Sequence, residues 1–386
     1  MKERIKKIGK TIIDLGLTMA ALALLFFFLW LLSATAKASD YTFLDSTFRA
    51  MEKREYGGAV DFKNRVFNIT QNVNLPRIGT DNKTKVFTIE NLCVKGAGLI
   101  AASKDWNDEH NYQTNRTFNL RNINIYNADA GLTIQGSHRS YFENVCAWNC
   151  RKAGSFELCL EGYAVNLQEH QCRDTGFYIG WSRNLPGATW ANSQSNNFRI
   201  NGFRSYGVGN SIALLFESVS GCSVTNLTNE GAGCNIFLKV SAQGSTVMKD
   251  FYAAGFHIEC ENKRCVVLSE CYGYSMFTFE NIFAQVGNVF CEASGTGLVT
   301  IRNIFYQPYN AGWKKPCLMF SHQRPDDNTV WWVFDNCNTL SSARSYYNDI
   351  YWINDATHCK PRPFSTGQQT NNSGSNRLKE IPFVLN

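Results

Sequence analysis

Leu120-Arg121-Asn122-Ile123 is followed 22 residues later by Phe142-Glu143-Asn144-Val145, and Phe279-Glu280-Asn281-Ile282 is followed at the same interval by Ile301-Arg302-Asn303-Ile304. The same tetrad, apolar-x-Asn-apolar, occurs at Ile89-Glu90-Asn91-Leu92, Val224-Thr225-Asn226-Leu227 and Phe334-Asp335-Asn336-Cys337. Weaker versions at Leu167-Gln168-Glu169-His170, Ile200-Asn201-Gly202-Phe203 and Met248-Lys249-Asp250-Phe251 fill the gaps. The marked position then falls at 91, 122, 144, 169, 202, 226, 250, 281, 303 and 336. Alternating apolar and polar residues precede the marker, as in Phe118-Asn119-Leu120-Arg121 and Val299-Thr300-Ile301-Arg302, which is the period of a half-buried strand.

After the marker, small-residue pairs (Ala130-Gly131, Ala153-Gly154, Thr175-Gly176, Ala232-Gly233, Ala254-Gly255, Val286-Gly287) predict turns. Each leads toward a second strand, such as Leu132-Thr-Ile134, Phe156-Glu-Leu158, Phe177-Tyr-Ile179, Ile236-Phe-Leu238 and Phe256-His-Ile258. A unit of 22 to 25 residues holding short strands, repeated about ten times, is one rung of a solenoid. The expected fold is all-β, a single-stranded right-handed parallel β-helix. Its recurring Asn should stack rung on rung, each amide bonding the next and satisfying polar groups inside the bend. Near-copies of one tetrad over so long a span argue against a β-sandwich, whose strands do not repeat.

A solenoid must cap its ends. Asp45-Ser46-Thr47-Phe48-Arg49-Ala50-Met51-Glu52-Lys53 has an N-cap residue and apolar positions at helical spacing, and it stops at Gly57-Gly58. The stretch Gly57-Gly58-Ala59-Val60-Asp61-Phe62-Lys63-Asn64-Arg65-Val66-Phe67-Asn68-Ile69 resembles the opening strand pair of the pectate-lyase-like β-helix superfamily, which holds pectin-degrading enzymes and the polysaccharide-cleaving tailspikes of bacteriophages. Lys63 and Arg65 stand where that family usually has Pro and Gly. The resemblance runs over about residues 41 to 350 through the rung pattern. It implies a fold and a glycan-related role but no particular chemistry, because the superfamily includes lyases, hydrolases, epimerases and pure binders.

The N-terminus carries its own signal. Lys2, Arg4, Lys6, Lys7, Lys10 and Lys37 against Glu3 and Asp14 place +4 of the formal +6 in the first 38 residues. The nearly neutral remainder lacks the electrostatic footprint of a nucleic-acid binder. No charge occurs between Asp14 and Lys37, and Met19 to Leu32 is wholly apolar. Ala36-Lys37-Ala38 fits a cleavage site, so residues 1–38 read as a signal peptide or, equally, an uncleaved transmembrane anchor, with the rest outside. The expected organisation is this segment, a cap with opening strands over 39–86, the β-helix over 87–364, and a linker and tail over 365–386.

All 14 cysteines lie in the part expected to be exported, where disulfides persist. Without a Cys-x-x-Cys pair they do not read as a zinc or thioredoxin-like motif. They read mostly as small interior hydrophobes, with Cys146/Cys150 and Cys260/Cys265 as the nearest local disulfide candidates. Of five sequons, Asn226-Leu-Thr228 falls on the ladder. Its Asn is therefore expected to be internal and unmodified.

Long rungs must bulge, and insertions are expected after the second strand: from Lys104 through His110, Trp181 to Asn197, Glu261 to Tyr274, and His322 to Asn328. Loops leaving at one phase line one edge. In the first loop Asp105, Asp108 and Glu109 are the candidate catalytic acids, since glycoside cleavage needs a carboxylate pair. Trp106 and His110 sit beside them. Trp181, Trp190 and Trp313, with Tyr306 and Tyr309 nearby, are candidate sugar platforms, with loop anchoring as the alternative. The acids could instead hold Ca²⁺; no other cofactor is called for. His138-Arg139, His170 with Asp174, and His257 read as rung residues. The Asn-Thr-Asp, Asp-Asp and Gly-His-Gly series of the pectin hydrolases is missing, since Asp326-Asp327 is the only Asp-Asp pair and there is no Gly-His-Gly. A lyase would need a base such as Arg116, Arg121 or Arg139.

Two functions stay open. One is an exported protein that binds and cleaves an extracellular or envelope polysaccharide, as a polysaccharide lyase or glycoside hydrolase. The other is a non-catalytic surface adhesin or a receptor-binding spike of viral or phage origin.

Overall fold

The computed structural model describes residues 19, 22–27, 40–77, 83–102, 116–206, 212–230, 234–242, 250–259, 264–271, 275–286, 289–295, 297–308, 319–322, 330–339, 351–354 and 363–364. They form a parallel β-helix. One sheet of 13 strands and one of 11 run the length of the molecule, and the chain alternates between them. The rungs stack in parallel register, so that Phe142 lies between Leu120 and Ala164, and Phe279 between Ala253 and Ile301. Among the described residues, no helix is long and apolar enough to cross a membrane.

The strands of the larger sheet bend at the marked position. Asn91, Asn122, Asn144, Asn166, Asn226, Asn281 and Asn303 all have φ between 52° and 57°, and Gly202 and Gly255 take the same corner at 85° and 71°. This left-handed conformation brings Cβ against the following carbonyl, and Asn and Gly tolerate it best. The Asn side chains form a ladder: Asn91 Nδ2 donates to Asp61 Oδ1 (2.9 Å), Asn122 to Asn91 (2.8 Å), Asn144 to Asn122 (2.8 Å) and Asn166 to Asn144 (2.7 Å). Asn303 donates to Asn281 at 3.1 Å. At Gly202 the ladder is interrupted. Gln168 donates to Asn166 Oδ1 (2.9 Å), and Asn226 bonds Asn201 instead (2.7 Å).

Two markers differ from the sequence reading. Asn166 and Gly255 hold the corner, not Glu169 and Asp250: Val165 and Leu167 pair with Glu143 and Val145, and Ala254 and Phe256 with Thr225 and Leu227. Glu169 is instead fully buried inside the coil. The ladder is also not internal. Asn122, Asn226, Asn281 and Asn303 are exposed, because a left-handed bend turns these side chains outward, so burial no longer argues against modification of Asn226.

Two further stacks of left-handed corners occur among the described rungs. Asn127, Asn149 and Gln171 form one stack (φ 56°, 51° and 55°), joined by Asn149 Nδ2 donating to Asn127 Oδ1 (2.8 Å). Arg139, Glu161 and Asn197 form the other (φ 52°, 53° and 54°), where Arg139 Nε donates to Glu161 Oε2 at 2.8 Å. A fourth left-handed column, Gly136 (φ 75°) and Leu158 (φ 51°), bends the strands of the smaller sheet. The column of Gly98, Gly131 and Gly176 lies at the start of the smaller sheet. A methyl group on Gly98 would come within 1.8 Å of the Ala130 carbonyl oxygen of the next rung, so close backbone approach, not a turn, requires glycine there. Ala254-Gly255 and Phe256 to Ile258 belong to the larger sheet, and Arg264–Cys271 is a strand where the sequence suggested an insertion.

Phenylalanines fill the interior, with Phe142 4.7 Å from Phe156 and 6.2 Å from Phe198. Residues 40–52 form the capping helix, which starts five residues earlier than its sequence signature. It buries Leu44, Phe48 and Met51, with Phe48 edge-on to Phe62. Asp40 accepts from Asn68 N (2.9 Å) and Arg65 (3.0 Å), tying the helix to the opening strand pair Gly57–Asp61 and Val66–Asn68. Cys146 and Cys150 are not bonded to each other, and Cys260, half of the other candidate pair, lies outside the described residues.

Glu169 has polar company inside the coil. The Ser205 hydroxyl bonds Glu169 Oε1, and Cys172 N donates to Oε2 (3.3 Å). Burial pushes the Glu169 carboxyl above the usual carboxylate range, against the opposing pull of these bonds. A carboxyl raised in the folded state leaves the folded chain holding more protons than the unfolded one. Stability therefore falls as pH rises from about 4.5 through the raised value. Glu169→Gln keeps one donor and one acceptor. It should exceed the parent protein by on the order of 1 kcal/mol at pH 7 and converge with it at pH 4, as read by urea midpoints; equal gaps at both pH values would show that the carboxyl does not titrate in this window.

Candidate functional site

The longest described connection between sheets lies at the third corner. Glu161 and Asn197 are 36 residues apart where Arg139 and Glu161 are 22 apart, so this rung carries 14 extra residues. They follow the strand Thr175–Gly180 and lead into Arg199–Tyr206. The first loop singled out in the sequence, Lys104 through His110, and most of the last, His322 to Asn328, lie outside the described residues.

The insertion is stapled to itself by short turns. Ala188 N donates to Leu185 O (3.0 Å), Ser193 Oγ to Thr189 O (2.7 Å) and Thr189 N to Asn192 Oδ1 (2.7 Å). Its base is fixed by Glu217, which is 2% exposed. Arg183 makes a two-pronged ion pair with this carboxylate, with Nε at 2.6 Å from Oε2 and Nη2 on Oε1. Trp181 Nε1 donates to Oε2 (2.9 Å), and the Tyr178 hydroxyl reaches the same oxygen (3.1 Å). Burial, then the nearby carboxylate, pushes the Tyr178 hydroxyl well above its ordinary value.

In the stack, Glu157, Gly180 and Glu217 occupy one column. The two acids are thus two rungs apart, roughly 9.6 Å between backbones, with a glycine between them. Desolvation pushes the Glu157 carboxyl above the usual range, opposed by Gln135 Nε2 at 3.0 Å. An acid held above the usual range in the same column as an ion-paired one resembles the division of labour used in glycoside cleavage. Here, however, Glu157 is 7% exposed, and the Tyr178 hydroxyl sits over Gly180, 2.4 Å from where a Cβ would be. The pair is covered, and Glu217 clamps the insertion.

Beside that clamp the face between the third corner and the Asn ladder is open. Tyr141 and Tyr163 stand on adjacent rungs, 5.9 Å apart and tilted by 33°, with Arg199 next in the column. In the neighbouring outward column Arg121 lies between Glu90 (3.2 Å) and Glu143 (3.5 Å), its guanidinium 5.6 Å from the Tyr141 ring. This is a flat floor of aromatic, cationic and hydrogen-bonding groups, and the chain of the insertion enters it at Arg199.

Of the residues singled out in the sequence, Trp181 is the anchor described above and Trp190 is half-buried in the insertion. Asp105, Trp106, Asp108, Glu109, His110 and Trp313 lie outside the described residues. The arginines offered as bases are engaged. Arg116 is buried on the carbonyls of Gly136 (2.6 Å) and Ala101 (3.1 Å), and Arg139 pairs with Glu161. Asp174 pairs with Arg151 (3.0 Å), not with His170, and His257 lies 3.3 Å from Glu259.

Sequence reasoning missed Glu217 and Glu157, although each is the lone acid in an apolar run, Ile212-Ala-Leu-Leu-Phe-Glu217 and Phe156-Glu-Leu-Cys. It also missed a column of stacked rings: Tyr126 on Trp148 (6.0 Å), Trp148 on His170 (3.5 Å) and His170 on Tyr206 (4.6 Å), each four residues past a ladder position. Their faces are spent on one another, so this column supports the coil and offers no platform to a sugar. Desolvation, with Arg204 nearby, holds the His170 imidazole below its ordinary value and so in the uncharged form that stacks. Among the described residues, no group of His, Cys, Asp and Glu is arranged to hold a metal ion. A scan of protein-family models and a search of curated proteins return no match to this chain.

Proposed function

We propose that this chain is an exported β-helix protein that binds an extracellular or envelope polysaccharide along the Tyr141/Tyr163 face. The observation that carries the reading is the open floor of Tyr141, Tyr163, Arg121 and Arg199 beside a rigidly clamped insertion. Tyrosine faces pack on the apolar faces of sugar rings, and arginine and asparagine bond hydroxyl and carboxylate groups. An extended, repeating surface suits an extended, repeating polymer. Export is supported by the basic and apolar leader of residues 1–38.

Binding is favoured over cleavage because the described acids near the floor are covered or ion-paired. Cleavage, as a lyase or a glycosidase, would fall to Asp105, Asp108 and Glu109 on the first insertion, with Trp106 and His110 beside them.

The test is retention of the purified protein on a panel of immobilised acidic and neutral polysaccharides, with reducing ends and unsaturated uronates assayed in parallel. Tyr141→Ala with Tyr163→Ala should weaken binding about tenfold. A double variant that binds like the parent, or a panel that retains nothing, would remove this face from consideration. Product formation abolished by Asp105→Ala with Asp108→Ala would make the protein an enzyme; binding without product would make it a surface module.

A further inference from the structure

The stacking of rungs brings two thiols together that are distant in sequence. Cys150 and Cys172 each follow a left-handed corner, Asn149 (φ 51°) and Gln171 (φ 55°), and the corners are joined by Asn149 N donating to His170 O at 2.8 Å. Both side chains point inward with the same geometry. Cys150 Sγ reaches Trp148 O (3.5 Å) and Ile125 O (3.9 Å), and Cys172 Sγ reaches the equivalent His170 O and Ala147 O, both at 4.0 Å. The two cysteines lie on adjacent rungs, where Arg173 N donates to Cys150 O at 3.1 Å, and both are free. Adjacent strands lie about 4.8 Å apart, inside the Cα separation of roughly 4.4 to 6.8 Å that a disulfide spans.

We infer that Cys150 and Cys172 form a disulfide linking two successive rungs when the chain folds in an oxidising compartment. One of the two thiolates attacks an external disulfide such as oxidised glutathione, forms a mixed disulfide and expels one glutathione thiolate. The other cysteine then loses its proton and attacks the protein sulfur of that mixed disulfide, expelling the second. Two protein thiols are oxidised, one glutathione disulfide becomes two thiols, and the two protons go with them. Burial of both sulfurs places the exchange before these rungs close. Burial pushes the Cys146, Cys159 and Cys222 thiols up to about 12.

The inference rests on the export reading only for where the oxidant is met, and the test separates them. Full-length protein is refolded from denaturant in oxidised or in reduced glutathione, alkylated, digested and sequenced by mass spectrometry. The expected result is a Cys150–Cys172 cross-link in the oxidised sample, with a melting midpoint several degrees above the reduced one. Cys150→Ser with Cys172→Ser should abolish that redox dependence. Alkylation of both cysteines after oxidative refolding, or linkage of Cys150 to another cysteine, overturns the proposal. A cross-link in vitro together with free thiols in protein recovered from cells would count against export and leave the pair standing.

Discussion

Glu217→Ala should lower stability by about 3 kcal/mol and free the insertion from the coil. The carboxylate is buried and is held by Arg183, Trp181 and Tyr178, so its removal orphans the Trp181 indole N–H, while the Tyr178 hydroxyl keeps its bond to Trp181 O at 2.9 Å. The Arg183 side chain, 47% exposed, can regain water, which keeps the loss at the lower end of the range for a broken buried pair. Trypsin should then cut after Arg183 in the otherwise folded protein, while Glu217→Gln, which keeps an acceptor, should resist longer. Digestion rates at Arg183 and urea midpoints read both effects. An unchanged digestion pattern would show that the insertion is held by its internal turns alone.

The second expectation concerns the ladder. Asn144→Ala should cost about 2 kcal/mol, of which the left-handed backbone accounts for roughly 1 and two amide hydrogen bonds for the rest. Asn144 sits at φ 52°, donating to Asn122 and accepting from Asn166. Asn144→Gly removes the bonds but relieves the backbone, so it should fall between the parent and the alanine variant in a denaturation series. If glycine proved as damaging as alanine, the side-chain ladder and not the corner conformation would be the reason for Asn at this position.

The ladder also shows how sequence and structure divide the information. Seven of the markers were legible because a tight corner makes a local demand, a residue that tolerates positive φ, and that demand recurs with each rung. The two misplacements have a local reason as well. Ala164-Val165-Asn166-Leu167 fits the tetrad better than Leu167-Gln168-Glu169-His170, and Ala253-Ala254-Gly255-Phe256 fits it with the Gly already tolerated at 202. Small apolar residues at the strand positions hid both. With the register corrected, the rings at 126, 148, 170 and 206 fall into one column and Glu169 moves inside.

From the sequence alone came the solenoid, its capping helix, the opening strand pair and the phase of the 181–197 insertion, because corners, alternation and loop length are properties of neighbouring residues. The tertiary structure alone decided that Glu217 meets Arg183 across 34 residues, that Cys150 and Cys172 lie on adjacent rungs, and that the Asn ladder faces out. Which side chains meet from rung to rung depends on the summed length of every intervening turn and on how each corner rotates the chain. A single inserted residue shifts all the contacts that follow it while leaving the local pattern unchanged.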